Sequence, residues 1–200
     1  YRQGLSVNPW PGEQSPPADL FTTQGGTVLI PERLSGETWR TPTLYGSALS
    51  TFGICYNLDR LQDLGFKKQP SRWEDLIDPR FSGQLGVADP TKSGSIAKAF
   101  EMIIHQQCAI AIQAAGYDQA TIAAFEAKLS DARPAPGDVC EGVPIEYQKA
   151  LEAGWLNGIR LVQRIGANAR YFTDSASKVP IDVSMGNAAA GLAIDFYGRY

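Results

Sequence analysis

"QLGVADPTKSGSIAKAF" (Gln84–Phe100) passes from a short apolar run, through Asp-Pro-Thr, into Ser-Gly-Ser and a helical pattern with Ile96, Phe100, Ile103 and Ile104 on one face. An apolar strand that hands over to an amphipathic helix through a polar turn is the unit of an α/β fold. A helix that only filled a core needs one capping residue. This one offers Thr91, Ser93, Gly94 and Ser95. Two readings fit. Ser is a favoured N-cap, and a helix start with bare N–H groups and hydroxyls also suits an anion.

Outward from this stretch the alternation repeats. "LYGSALSTFGICYN" (44–57) reads as a long strand, and "NLDRLQDLGF" (57–66) as a helix closed by Gly65. "SRWEDLIDPRFSG" has Ser71 followed three residues later by Glu74, which predicts a capping box. "DQATIAAFEAKLSDA" is a second long helix and "RPAPGDVCEG" a loop. Val143 to about Asn168 is helical, with Tyr147, Leu151, Trp155, Ile159, Val162 and Ile165 on one face. "ARYFTD" is a strand, "SASKVPIDVSMG" a short helix and "AAAGLAIDF" a final strand. Residues 1–18 read as loop, "ADLFTT" as a short strand and "PERLSGETWR" as a polar helical turn at most. The expected fold is therefore α/β, a mixed and mostly parallel sheet flanked by helices. In such sheets ligands collect at the carboxyl ends of strands, here "VADPTKSGS" and "YFTDSAS".

Composition narrows the function. The 200 residues carry a formal net charge of -3, with no basic run longer than Lys67-Lys68, which argues against nucleic acid as a partner. No apolar stretch approaches the roughly 20 residues that span a bilayer. The chain begins at Tyr1 without methionine, and with its abrupt end after "IDFYGRY" it reads as a fragment or a processed product. One histidine, His105, and three scattered cysteines make a zinc site a poor expectation. Cys55 reads as a buried, unreactive thiol. Cys108 and Cys140 are expected to be either bonded to each other or well apart.

Three groups carry candidate chemistry: Thr91 with Ser93, Gly94 and Ser95; Asp174 with Ser175; and Asp195 with Tyr197. Asp195 lies inside an apolar strand, where a carboxylate needs a partner or the strand's edge. Tyr197 and Arg199 follow at spacing two. Asp and Tyr oxygens suit a hard cation, and Arg199 suits a carboxylate or phosphate; a structural ion pair at a strand end fits as well. There is no G-x-S-x-G elbow, P-loop or G-x-G-x-x-G.

The blocks "STFGICYNLDRLQDLGF", "SRWEDLIDPRFSGQLGVADPTKSGS" and "ANARYFTDSASKVPIDVSMGNAAAGLAIDFYGRY" resemble, in order and spacing, the type 2 periplasmic solute-binding proteins of ABC transporters, ferric-iron-binding proteins among them. The resemblance covers roughly residues 44–200. It implies two α/β lobes joined by hinge strands, with residues 1–50 a remnant of lobe one and the hinge crossing, 51–193 lobe two, and 194–200 the returning hinge strand. In the iron-binding relatives the turn matching Ser93-Gly94-Ser95 holds a synergistic anion, the segment matching Asp174-Ser175-Ala176 adds to the same site, and two adjacent tyrosines bind the metal. Here those two positions are Phe196 and Tyr197, so one phenolate is lost. The expected ligand is ferric iron (Fe3+) with its anion, or a small anionic solute; no other cofactor is expected. The expected partner is an ABC permease, and the expected form a monomer outside the cytoplasm, periplasmic or as a surface lipoprotein. The alternative is an enzyme or a ligand-sensing module on the same lobe architecture. An enzyme needs a convergent acid, base or nucleophile, and a sensor needs fused signalling segments; the sequence displays neither.

Overall fold

The computed structural model describes residues 50–135, 137–195 and 197, and the backbone of four two-residue strands nearer the start of the chain. The chain divides into two compact units, residues 1–51 and 52–200. In the first, β1 (Arg33–Leu34) pairs antiparallel with β2 (Glu37–Thr38), and β3 (Arg40–Thr41) with β4 (Leu44–Tyr45). Within "PERLSGETWR" the described residues 33–34 and 37–38 are thus paired strands and not a helical turn. The expected strand at 18–23, the loop at 1–18 and the crossing at 46–49 lie outside the described residues.

The second unit is built on a four-stranded sheet. Its strands are β5 (Phe52–Tyr56), β6 (Leu85–Ala88), β7 (Ala169–Thr173) and β8 (Ala190–Ile194), in the order β5-β8-β6-β7. β6 runs parallel to both β7 and β8, and β5 runs antiparallel to β8. The segments "QLGVA", "ARYFTD" and "AAAGLAIDF" pair here as expected, whereas the long strand expected over 44–57 supplies only Phe52–Tyr56: residues 50 and 51 are not in a strand, and Leu44–Tyr45 pairs with β3.

Helices α1 (Leu58–Asp63), α2 (Gly94–Ala114), α3 (Gln119–Ala132), α4 (Ile145–Ala167) and α5 (Lys178–Ser184) complete the unit. Strand alternation decides which helix covers which face. Leu85, Val87, Ala190 and Leu192 join Ile96, Ala99, Ile103, Leu161 and Ile165 in the main core, on the side of α2 and α4. Gly86 and Gly191 are paired across β6 and β8 and point the other way, where a β-carbon at Gly191 would run into Val179 of α5 and one at Gly86 would crowd the Tyr171 hydroxyl at 3.0 Å and Val179 at 3.3 Å. Glycine at these two positions lets a helix lie flat on the sheet. A buried polar cluster holds that helix down: Tyr171 donates to Asp182 at 2.7 Å, Asn187 donates to the same carboxylate, and Lys178 stands 3.4 Å away. Burial, then the hydrogen bond to Asp182, pushes the Tyr171 phenol well up, and that bond holds Asp182 below the usual carboxylate range.

Several expectations are corrected. The block at 71–81 forms two short 3-10 turns, Trp73–Ile77 and Pro79–Phe81. Asp75, not Glu74, caps the first by accepting from the N–H groups of Ser71 and Arg72 at 2.7 and 2.9 Å. Trp155 lies on the exposed side of α4; Gly154 and Gly158 occupy the inner face instead. Cys108 and Cys140, for which a bond was one of two expected alternatives, are free, buried thiols. Cys55 is only half buried, yet burial pushes its thiol up to about 11.

Candidate functional site

Parallel strands that end together create one polar edge. Ala88 of β6 pairs with Thr173 of β7, and Gly86 with Gly191 of β8, so all three strands finish at about the same level. The turns that follow are stitched together: the Asp89 N–H donates to the Thr173 carbonyl at 2.7 Å. The sequence therefore puts Thr91, Ser93, Gly94 and Ser95, then Asp174 and Ser175, then Asp195 and Tyr197 at the ends of three neighbouring strands on one edge.

The first turn belongs to α2. Ser93 is its N-cap residue, but no side chain caps the helix. The Ser93 hydroxyl instead meets that of Ser95 at 3.1 Å. The first-turn N–H groups of this 21-residue helix are thus left to other acceptors, at the positive end of its dipole. A β-carbon at Gly94 would meet nothing within 4 Å. Thr91 is less available than the sequence suggests, since its N–H and hydroxyl both donate to Asp89, at 2.9 and 2.7 Å. Those bonds hold the Asp89 carboxyl below the usual range.

The second turn follows β7. Thr173 is buried; its hydroxyl donates to Asp174 and accepts from the Ser175 N–H, both at 3.4 Å. Ser175 and Ser177 share a hydroxyl contact of 2.8 Å, and Asp174 and Ser175 are exposed. α5 has only seven residues, so its contribution is hydroxyls rather than a strong dipole. Tyr197, half buried after β8, packs against the main core. Phe196 and Arg199 lie outside the described residues.

Asp89 and Ser177 were missed in the sequence. Both had a signal, an Asp-x-Thr turn and a Ser-x-Ser pair. Carboxylates of Asp89, Asp174 and Asp195 also sit on the edge beside the hydroxyls. The arrangement offers donors to an anionic group at α2 and acceptors to donors elsewhere on a ligand. It places no nucleophile beside a base, and no group of three His, Cys, Asp or Glu side chains suited to a metal occurs among the described residues. Two cavities, of about 760 and 830 Å3, are lined by residues other than these.

A model of a bacterial extracellular solute-binding protein family matches residues 18–125, just over half of the chain. An uncharacterized protein of Haemophilus influenzae is 36% identical over 56 residues, covering 28% of this chain and 16% of that one. Among solved structures, the periplasmic binding protein AfuA from Actinobacillus pleuropneumoniae, with exogenous fructose-6-phosphate bound, is similar at 19% identity and a TM-score of 0.46. The periplasmic binding protein P5PA is similar at 20% and 0.42. Both alignments cover 73% of this chain and 31% of the other, so the chain spans less than a third of the length of each of these three relatives.

Proposed function

From the chain's place in the bacterial extracellular solute-binding family, to which it belongs, we propose that its polar sheet edge holds part of the site of a solute captured for an ABC importer. The protein works by binding, without chemistry, outside the cytoplasm, as a monomer that delivers to a permease. The observation that carries this reading is the uncapped start of α2 next to the β7 turn on one edge. The solute is small and anionic. Its negative group sits against the first-turn N–H groups of α2 and the Ser93 and Ser95 hydroxyls, Ser175 adds a hydroxyl from the side, and Asp174 accepts from a donor elsewhere on the solute. Tyr197 and Asp195 close the third side, where a ferric ion would add to the anion.

Native mass spectrometry of the full-length protein as purified tests the reading. A retained small anion supports it, and the retained mass separates an iron–anion pair from an anion alone. Calorimetry of that ligand against Gly94→Asp completes the test. A carboxylate placed there opposes the anion, and at least about tenfold weaker binding, or 1.4 kcal/mol, is expected. Unchanged affinity would make the turn a helix cap only.

A further inference from the structure

α2, α3 and α4 enclose a groove of about 830 Å3, within the range of about 300–1,000 Å3 typical of small-molecule pockets. Its α2 residues, from His105 to Gln113, stand about 17–29 Å along the helix from Gly94 at 1.5 Å per residue, so the groove is remote from the polar edge. Ile112 and Ile122 form its floor, and Trp155 and Leu156 its wall. Trp155 is 51% exposed and Leu156 40%. Large apolar side chains scattered singly on a surface are ordinary, but here they line one concavity.

The charge around the groove is one-sided. Glu126, Asp138 and Glu152 line it, against Lys149. Asp138 accepts from the Ala135 N–H; Glu126 and Glu152 make no hydrogen bond or ion pair with the described residues. Behind the floor, Tyr147 is fully buried against Ile112 and Ile122, and its hydroxyl has no hydrogen-bond partner. Glu126 is among the charges that act on that phenol.

We propose that this groove is a second binding site, for a small cationic amphiphile. An aromatic or aliphatic body lies on Ile112, Ile122, Trp155 and Leu156, and an amine meets the carboxylates of Glu126 and Glu152. Charge complementarity selects the cation: three carboxylates against one ammonium repel an anionic amphiphile and leave a neutral one without its polar anchor.

Dansylcadaverine, which joins an aromatic body to a primary amine, is the probe, and its N-acetyl derivative the neutral control. Fluorescence titration of the intact chain should show saturable, blue-shifted binding of the amine. The acetylated probe should bind about tenfold more weakly, as should the amine to Glu126→Gln/Glu152→Gln, a loss equivalent to 1.4 kcal/mol. Lys149→Gln should tighten binding, an opposite sign that misfolding would not produce. Equal binding of both probes, or no effect of the glutamate substitutions, would overturn the proposal. So would preferential binding of a 14-residue Leu/Lys amphipathic peptide in place of the amine, or sedimentation showing a dimer that Trp155→Ala abolishes, because the groove would then be a protein interface.

Discussion

Gly94 has no neighbour that demands a glycine: its β-carbon position is open and its φ lies outside the left-handed region. Ala at the start of a helix is at least as stable as Gly. Gly94→Ala should therefore leave thermal unfolding unchanged or slightly raised while reducing solute affinity; reduced stability would point to a purely structural turn. Tyr171 is the contrasting case. Its hydroxyl serves Asp182, a buried carboxylate. A hydrogen bond to a charged group is worth about 1.5–3 kcal/mol, and Tyr171→Phe should cost that much in urea unfolding. A cost under half a kilocalorie would mean that Asn187 and Lys178 suffice for Asp182. The sequence marked these hydroxyls as candidates because Ser, Gly and Asp at strand–helix junctions serve either as caps or as donors to an anion. It did not mark the Tyr171–Asp182 pair, since the two come together only when α5 folds back on the sheet.

At the scale of elements, α2 and α4 make the most extensive helix contact in the second unit. It depends on two glycines of α4. A β-carbon at Gly154 would stand 2.5 Å from Cys108 Cα and 2.8 Å from the Gln107 carbonyl, and one at Gly158 2.6 Å from Ile104 Cα. These obstacles are backbone and cannot swing aside. Gly154→Ala should destabilise by about 1–3 kcal/mol or more through forced separation of the helices, and a near-neutral result in chemical denaturation would contradict the close packing. α3 ends with Arg133 in the left-handed region at φ 45°. Gly adopts that conformation without the β-carbon penalty of about 1–2 kcal/mol, less glycine's own entropic cost of about 0.5–1 kcal/mol, so Arg133→Gly should raise stability by about 0.5–1 kcal/mol. Apolar periodicity located the strands and helices of the second unit well. It misplaced Trp155, because the inner stripe of α4 is marked by glycines, which a hydrophobic pattern does not count. It also missed the β1–β2 pair, whose polar residues carry no alternation.

Across the whole chain, acid is where the local geometry adds up. Asp75, Asp78, Asp89, Asp118 and Asp182 are all held below the usual carboxylate range. Asp75 owes this first to the N–H of Ser71, Asp78 to the Arg80 side chain, Asp89 to the Thr91 hydroxyl, Asp118 to the N–H of Thr121 and Asp182 to the Tyr171 hydroxyl. In the unfolded chain these groups take up protons near their ordinary value of about 3.9, whereas the folded chain resists until lower pH. The unfolded state then binds more protons, and stability falls as pH falls. Their contribution is complete above about pH 5 and disappears progressively below pH 4. For four of the five the main partner is an uncharged N–H or O–H donor, and only Asp78 depends mainly on a cation. Salt at 1 M shortens the screening length to about 3 Å and weakens exposed ion pairs, but leaves hydrogen-bonded contacts largely intact. Urea unfolding from pH 7 to pH 2.5 should therefore show a loss confined to the acid side that is nearly the same at 0.05 and 1 M sodium chloride. An acid limb that flattens in high salt would mean that long-range ion pairing, and not the capping and hydroxyl contacts, keeps these carboxylates ionised.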